Sequence, residues 1–191
     1  MRQVAQLSRV QFVLNQCIPQ GNALAVDDSL QAGCKMLIVK LFDPHAICRL
    51  IEQEKVSTIL GVPTMLVALL EELEKETHDV SSVEMFSSGG AMVAPELVRN
   101  IQRLFGCGFG TLYGQTETSP VITQHFVDDS LDDICNTIGQ PLPHTEVSIR
   151  SIGGNEAVPV DSVGEICVRA YCNMSEYRGG ENSFPAEIEN T

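Results

Sequence analysis

A chain of 191 residues, 43% hydrophobic and 19% charged, is long enough for one large domain or one and a fraction and apolar enough for a sizeable core, which excludes a disordered tail. Twelve basic against twenty-five acidic residues give a formal charge of −13, which repels nucleic-acid backbones and anionic lipid surfaces, although a few N–H groups, a lysine or a magnesium ion can still offset the phosphates of one nucleotide. No apolar run reaches the roughly 18 residues of a spanning helix, so the expectation is a soluble chain with no transmembrane segment and no nucleic-acid partner.

In chain order, VQFVL (10–14) reads as part of a strand and CKMLIV (34–39) as a buried strand. Asp43 can cap a helix with Pro44 in its first turn, on which Ile47, Leu50 and Ile51 share a face. VSTILGV (56–62) is a strand rich in β-branched residues. Pro63 opens a helix whose Met65, Leu66, Leu69, Leu70 and Leu73 form an apolar stripe backed by acidic residues. VEMFSSGGAMV (83–93) is a strand entering a loop of small residues, and Pro95 starts a helix with Leu97, Val98, Ile101, Leu104 and Phe105 on one side. Gly106 suits its C-terminus, and FGTLYG (109–114) follows as a strand.

This strand–helix repeat predicts an α/β fold, a largely parallel sheet covered by helices. After residue 120 the pattern changes, and the chain is expected to leave the parallel sheet. EVSIRSI and GEICVRAY, separated by a region containing Gly-Gly-Asn, read as antiparallel strands with one solvent face.

The seven cysteines, at 17, 34, 48, 107, 135, 167 and 172, are odd in number and never spaced as CxxC. They read as small buried apolar residues of a reducing, intracellular compartment. His45, His78, His125 and His144 are equally scattered, so no zinc site is expected. Arg2 and Arg9 are the only ionised side chains before Asp27, a faint likeness to an organelle presequence that the strand-like VQFVL argues against. The compartment stays open between mitochondrial matrix and cytoplasm. Asn173-Met174-Ser175 matches a glycosylation acceptor with no secretory leader to support it.

Ligands of parallel sheets collect beyond the carboxyl ends of the strands, where loops vary freely and helix N-termini aim N–H groups into the crevice. Two segments fit that position. In SSGGAMVAP (87–95), Gly89 and Gly90 let a ligand approach the backbone, or simply make a strand-to-helix turn. In LYGQTETSP (112–120), Tyr113 can stack on a flat ring, Thr116 donate to a phosphate and Glu117 hold magnesium; equally, Tyr113 can be a half-buried strand residue and Glu117 a solvated acid. GCGFG (106–110) precedes a strand instead of joining a strand to a helix, which excludes a dinucleotide loop.

With these motifs the chain resembles the AMP-forming adenylating enzymes, and among them the acyl-CoA synthetases. The resemblance runs from about Gly21 to Tyr177 and rests on VPTML (62–66), SSGGAMVAPEL (87–97), LYGQTETSP (112–120), TIGQPLPHTEV (137–147) and GEICVRAYCNMSEY (164–177), five segments in family order. It implies a reaction in which a carboxylic acid attacks the α-phosphate of ATP, giving an acyl-adenylate and pyrophosphate, after which coenzyme A displaces AMP. By the same resemblance Tyr113 lies against adenine, Thr116 contacts the α-phosphate and Glu117 ligates magnesium. Gly89, Gly90, Ala91, Gly114 and Gln115 line the nucleotide site, and Val62, Pro63 and Gly90 the acyl pocket. The implied substrate is a fatty acid of medium or longer chain. The implied layout is a sheet subdomain of the large domain at 1–136, incomplete at its start, an antiparallel β subdomain at 137–177, and a remnant of the small C-terminal domain at 178–191.

Departures from the family pattern are equally specific. No segment resembles the Ser/Thr/Gly-rich phosphate loop with its lysine, and residues 16–21 read QCIPQG where an aromatic or histidine is usual. Ala170 and Glu176 stand where glycines are usual. RGGENSFPAEIE, after Tyr177, resembles a stretch of the small domain, with the intervening Thr-Gly-Asp segment and hinge missing and the downstream lysine absent. The expectation is therefore a truncated and internally deleted member, with little complete acyl-CoA synthesis by this chain alone. A non-catalytic nucleotide- or acyl-binding protein derived from such a ligase is the alternative, and a dinucleotide oxidoreductase ranks last. A sheet without its first strands is also expected to aggregate.

Overall fold

The computed structural model describes residues 10–13, 28–39, 41–126 and 128–176; the readings of the N-terminal arginines, of QCIPQG and of the join after Tyr177 lie outside them. In chain order the elements are β1 (Val10–Val13), α1 (Asp28–Ala32), β2 (Lys35–Ile38), α2 (Pro44–Glu54), β3 (Thr58–Gly61), α3 (Pro63–Lys75), β4 (Met85–Gly89), α4 (Pro95–Phe105), β5 (Gly108–Tyr113), β6 (Thr123–Gln124), α5 (Leu131–Asn136), β7 (Gln140–Pro141), β8 (Thr145–Arg150) and β9 (Glu165–Ala170).

Proline starts α2, α3 and α4, because its missing N–H falls where a helix has no acceptor and its fixed φ already suits the first turn. Asp43 caps α2 by accepting from the Ala46 N–H at 3.2 Å. Gly106 ends α4 in the left-handed region, φ 64°, where a side chain would be strained. The apolar faces of these helices close over the sheet. Ile47, Cys48 and Ile51 of α2, Leu66, Leu69 and Leu70 of α3, and Leu97, Val98, Ile101 and Phe105 of α4 join Ile59, Phe86 and Phe109 in the buried core. Phe86 and Phe105 meet edge to face, centroids 4.7 Å apart. Leu104, expected on this face, is 38% exposed, because it falls on the flank of the stripe and turns toward solvent.

Among the described residues the sheet has seven strands, in the order β2-β1-β3-β4-β5-β6-β7. The first five run parallel, and β6 lies antiparallel to both its neighbours, β5 and β7. Two expectations are corrected here. The chain does not leave the sheet after residue 120: Leu112 pairs with Gln124 and Tyr113 with Thr123, and Gln124 in turn pairs with Gln140. Strand β2 is not buried, since it lies at the end of the sheet with Ile38 49% exposed and Lys35 paired to Glu54. The connection from β2 to β3 passes over β1 and the later strands follow on that side, which leaves β2 outermost among the described strands.

As expected, β8 and β9 form an antiparallel hairpin, with Val147 opposite Val168 and Glu146 opposite Arg169. Their connection is a long loop carrying a bridge between Arg150 and Ala157. Strand β7 lies beyond residue 136 yet still belongs to the large sheet. Among the described residues no helix is long and apolar enough to cross a membrane.

Candidate functional site

Strands β3, β4 and β5 are parallel neighbours, so the three segments that leave their carboxyl ends lie side by side. The chain leaves β3 through Val62 and Pro63, β4 through Gly90 and Ala91, and β5 through Gly114 to Glu117. Glycine is required at two of these exits. A Cβ on Gly89 would stand 2.6 Å from the Leu112 carbonyl oxygen, so β4 and β5 pack backbone to backbone there. Gly90 has φ +79°, and a Cβ built on it would lie 3.9 Å from Val62 Cγ1. Val62 thus flanks the glycine loop. Gly90 and Ala91 are exposed and Val62 and Pro63 half-buried, so this corner is open.

The β5 exit folds back on itself. A Cβ at Gly114 would fall 2.0 Å from the Pro120 carbonyl oxygen, so only glycine permits the reversal. Thr116–Thr118 forms a single tight helical turn, and Ser119 follows with φ 46°. Thr118 is buried, 7% exposed. Its hydroxyl donates to the Gln115 carbonyl at 3.0 Å and accepts from the Gln115 N–H at 3.3 Å. With Thr118 turned inward, Gln115 and Thr116 face solvent, and Tyr113 and Glu117 stay half-buried. The Glu117 carbonyl accepts from the Met174 N–H at 2.8 Å, which ties the segment after β9 to the same loop.

Three supporting residues escape sequence reading. Thr118 looks like any loop hydroxyl until its contacts are seen, and Met174 lies far away in sequence. His125, 5% exposed, brings Nε2 to within 3.1 Å of the Asp133 carbonyl and Nδ1 to within 2.7 Å of the Thr111 hydroxyl. A carbonyl only accepts, so Nε2 carries the donated proton. His125 is therefore a latch between β5 and α5. Ser88, just before the glycine loop, is fully buried and its hydroxyl has no partner among the described residues.

Six cysteines are described and none is in a disulfide. Burial pushes the Cys48 and Cys107 thiols up to about 12, with the Glu72 charge adding to the effect at Cys48. These two are inert core residues.

The sequence matches the AMP-binding enzyme family over residues 28–178. YngI of Bacillus subtilis, whose name is that of an acyl-CoA synthetase, is 35% identical over 168 residues, 84% of this chain and 31% of its own length. The mitochondrial medium-chain acyl-CoA ligase ACSF2 of Rattus norvegicus is 32% identical over 130 residues, 68% of this chain and 21% of its own. The amide bond synthetase McbA of Marinactinospora thermotolerans superposes with a TM-score of 0.74 at 28% identity, over 90% of this chain and 34% of its own. The chain spans less than a third of the length of these two curated relatives. A family match across most of the chain, together with the α/β sheet of an adenylate-forming enzyme, makes this chain a member of the AMP-binding enzyme family, the adenylate-forming ligases.

Proposed function

We propose that the chain carries the adenylate- and acyl-binding part of an AMP-forming acid–thiol ligase acting on medium or longer fatty acids. The observation that carries this reading is the convergence of Val62–Pro63, Gly89–Ala91 and Tyr113–Glu117 at the carboxyl ends of three adjacent parallel strands, where nucleotides bind in open α/β sheets. Tyr113 offers a flat face to adenine, Thr116 a hydroxyl to the α-phosphate, and Gly114 and Gln115 shape the turn between them. Gly89, Gly90 and Ala91 let the adenylate approach the backbone, and Val62 and Pro63 supply apolar surface to the acyl chain. The half-buried carboxylate of Glu117 is the group that would hold magnesium, which when bound offsets the negative charge of the phosphates.

In the reaction, a carboxylate oxygen attacks the α-phosphorus and the bond to the bridging oxygen breaks, releasing pyrophosphate. The thiolate of coenzyme A then attacks the acyl carbonyl carbon, AMP leaves, and the thiol proton passes to solvent. Catalysis of this kind rests on positioning and on spreading negative charge. No segment of these 191 residues resembles a lysine-bearing phosphate loop, and an active site without such groups is slower by several powers of ten. It is therefore proposed to bind adenylate well and turn it over weakly. The relatives' names support a carboxylic-acid substrate with an acyl-CoA product, and they are compatible with a mitochondrial or a cytoplasmic setting.

The test combines two measurements on the 191-residue chain: binding of a non-hydrolysable acyl-adenylate analogue, and pyrophosphate release with ATP, magnesium, a fatty-acid series and coenzyme A. Binding with weak release is the expected result. Binding with no release under any acid favours a purely binding role derived from the ligase, and absence of binding overturns both.

A further inference from the structure

Two histidines with no spacing in the sequence that pairs them, His45 and His78, are brought together by the fold. His45 stands in the first turn of α2, and His78 follows the end of α3. Their rings meet edge to face with centroids 5.8 Å apart. Glu72 and Glu76, one turn apart at the end of α3, complete the group. One ligand atom from each of the four residues lies within 4.8 Å of all the others. We propose that His45, Glu72, Glu76 and His78 form a binding site for a first-row divalent transition ion, zinc foremost, that clips α2 to α3 and the turn beyond it.

Spacing supports this. A tetrahedral zinc with bonds of about 2.0–2.2 Å sets its ligand atoms roughly 3.4 Å apart. His45 Nδ1 already lies 3.0 Å from Glu72 Oε1 and 3.3 Å from Glu76 Oε2, and small rotations of exposed side chains close the rest. Those two contacts alone would suit an ordinary surface ion pair. His78 is what that simpler account leaves unexplained. Its side chain is 3% exposed, and its Nε2 has no hydrogen-bond partner among the described residues, an arrangement that is costly unless something fills it.

The other nitrogen of His78 is committed elsewhere. Nδ1 lies 3.5 Å from Glu52 Oε2, the kind of carboxylate contact that orients a metal-ligating imidazole. Nε2 is the nitrogen left for an ion. Two imidazoles with two carboxylates suit zinc, copper or nickel, whereas magnesium and calcium favour all-oxygen sets. Lys75 Nζ, 4.0 Å from the second oxygen of Glu72, is 71% exposed and free to swing away when an ion enters.

The experiment is a calorimetric titration of zinc chloride into the chelator-treated chain with excess magnesium present, followed by gel filtration and metal analysis. One zinc per chain is expected to be retained. Because the His45 side chain is 46% exposed, His45→Ala keeps the fold, which the same thermal melt without metal checks, and it should weaken zinc by more than about tenfold. Cobalt in place of zinc should give the visible bands of a four-coordinate nitrogen–oxygen site with no thiolate charge-transfer band. No stoichiometric zinc, equal affinity in the wild type and His45→Ala, or a thiolate band in the cobalt spectrum would each overturn the proposal.

Discussion

At the scale of single residues, the site depends on close backbone packing as much as on the side chains that face a ligand. Gly89→Ala would drive a methyl to 2.6 Å from the Leu112 carbonyl oxygen, which belongs to backbone and cannot move aside cheaply. We expect a loss of about 1–3 kcal/mol in urea unfolding, the usual cost of overpacking, with weaker adenylate binding at temperatures where the variant is still folded. Buried thiols give a second test. With Cys48 and Cys107 pushed up to about 12, the nucleophilic thiolate stays negligible at pH 8, and its fraction grows only as pH rises toward that value. Peptide mapping after brief alkylation of the native chain should find both unmodified and the half-buried Cys167 and Cys172 labelled; rapid labelling of Cys48 would mean that α2 opens readily. The sequence made both thiols legible as small apolar core residues. It could not reveal Thr118, whose importance lies in the two backbone groups of Gln115 that it binds.

At the scale of elements, local chemistry carried most of the reading. Pro44, Pro63 and Pro95 mark helix starts by a backbone property of proline itself, and the apolar stripes behind them follow from the helical period. Removing the Asp43 cap should accordingly cost about 1 kcal/mol, seen as a lower melting temperature for Asp43→Ala and recovered in Asp43→Ser. Strands β6 and β7 were invisible because two residues cannot display a period, and their pairing is set by the reversal at Gly114. Helix α5 left a usable signal: Ser130 accepts from the Asp133 N–H at 3.1 Å, the serine-then-acid spacing of a capped start. The pairing of His45 with His78 had no local signature at all, since it arises from α2 packing against α3.

For the whole molecule, strand order decides what is exposed. A parallel sheet was legible in the strand–helix alternation, but not which strand would be outermost, because that depends on the direction of each crossover. Among the described residues strand β2 ends the sheet, with Ile38 turned to solvent and Lys35 as the charged residue on the same strand. An outer strand with one lysine resists edge-to-edge pairing only partly. Sedimentation velocity should show concentration-dependent association of the chain that Ile38→Lys reduces; a single sharp monomer at all concentrations would show that this edge is adequately protected. The same arrangement of strands is what sets the β3, β4 and β5 exits beside one another, so the proposed nucleotide site depends on topology as much as on motif.

That dependence is tested most directly by calorimetric titration of AMP into the wild-type chain and into Tyr113→Ala. The account predicts one saturable site in the wild type, weakened about 10- to 100-fold when the ring is removed, in line with roughly 1–3 kcal/mol for stacking a base on an aromatic side chain. Wild-type protein that shows no saturable heat, or a Tyr113→Ala chain that binds AMP as tightly as the wild type, would contradict it.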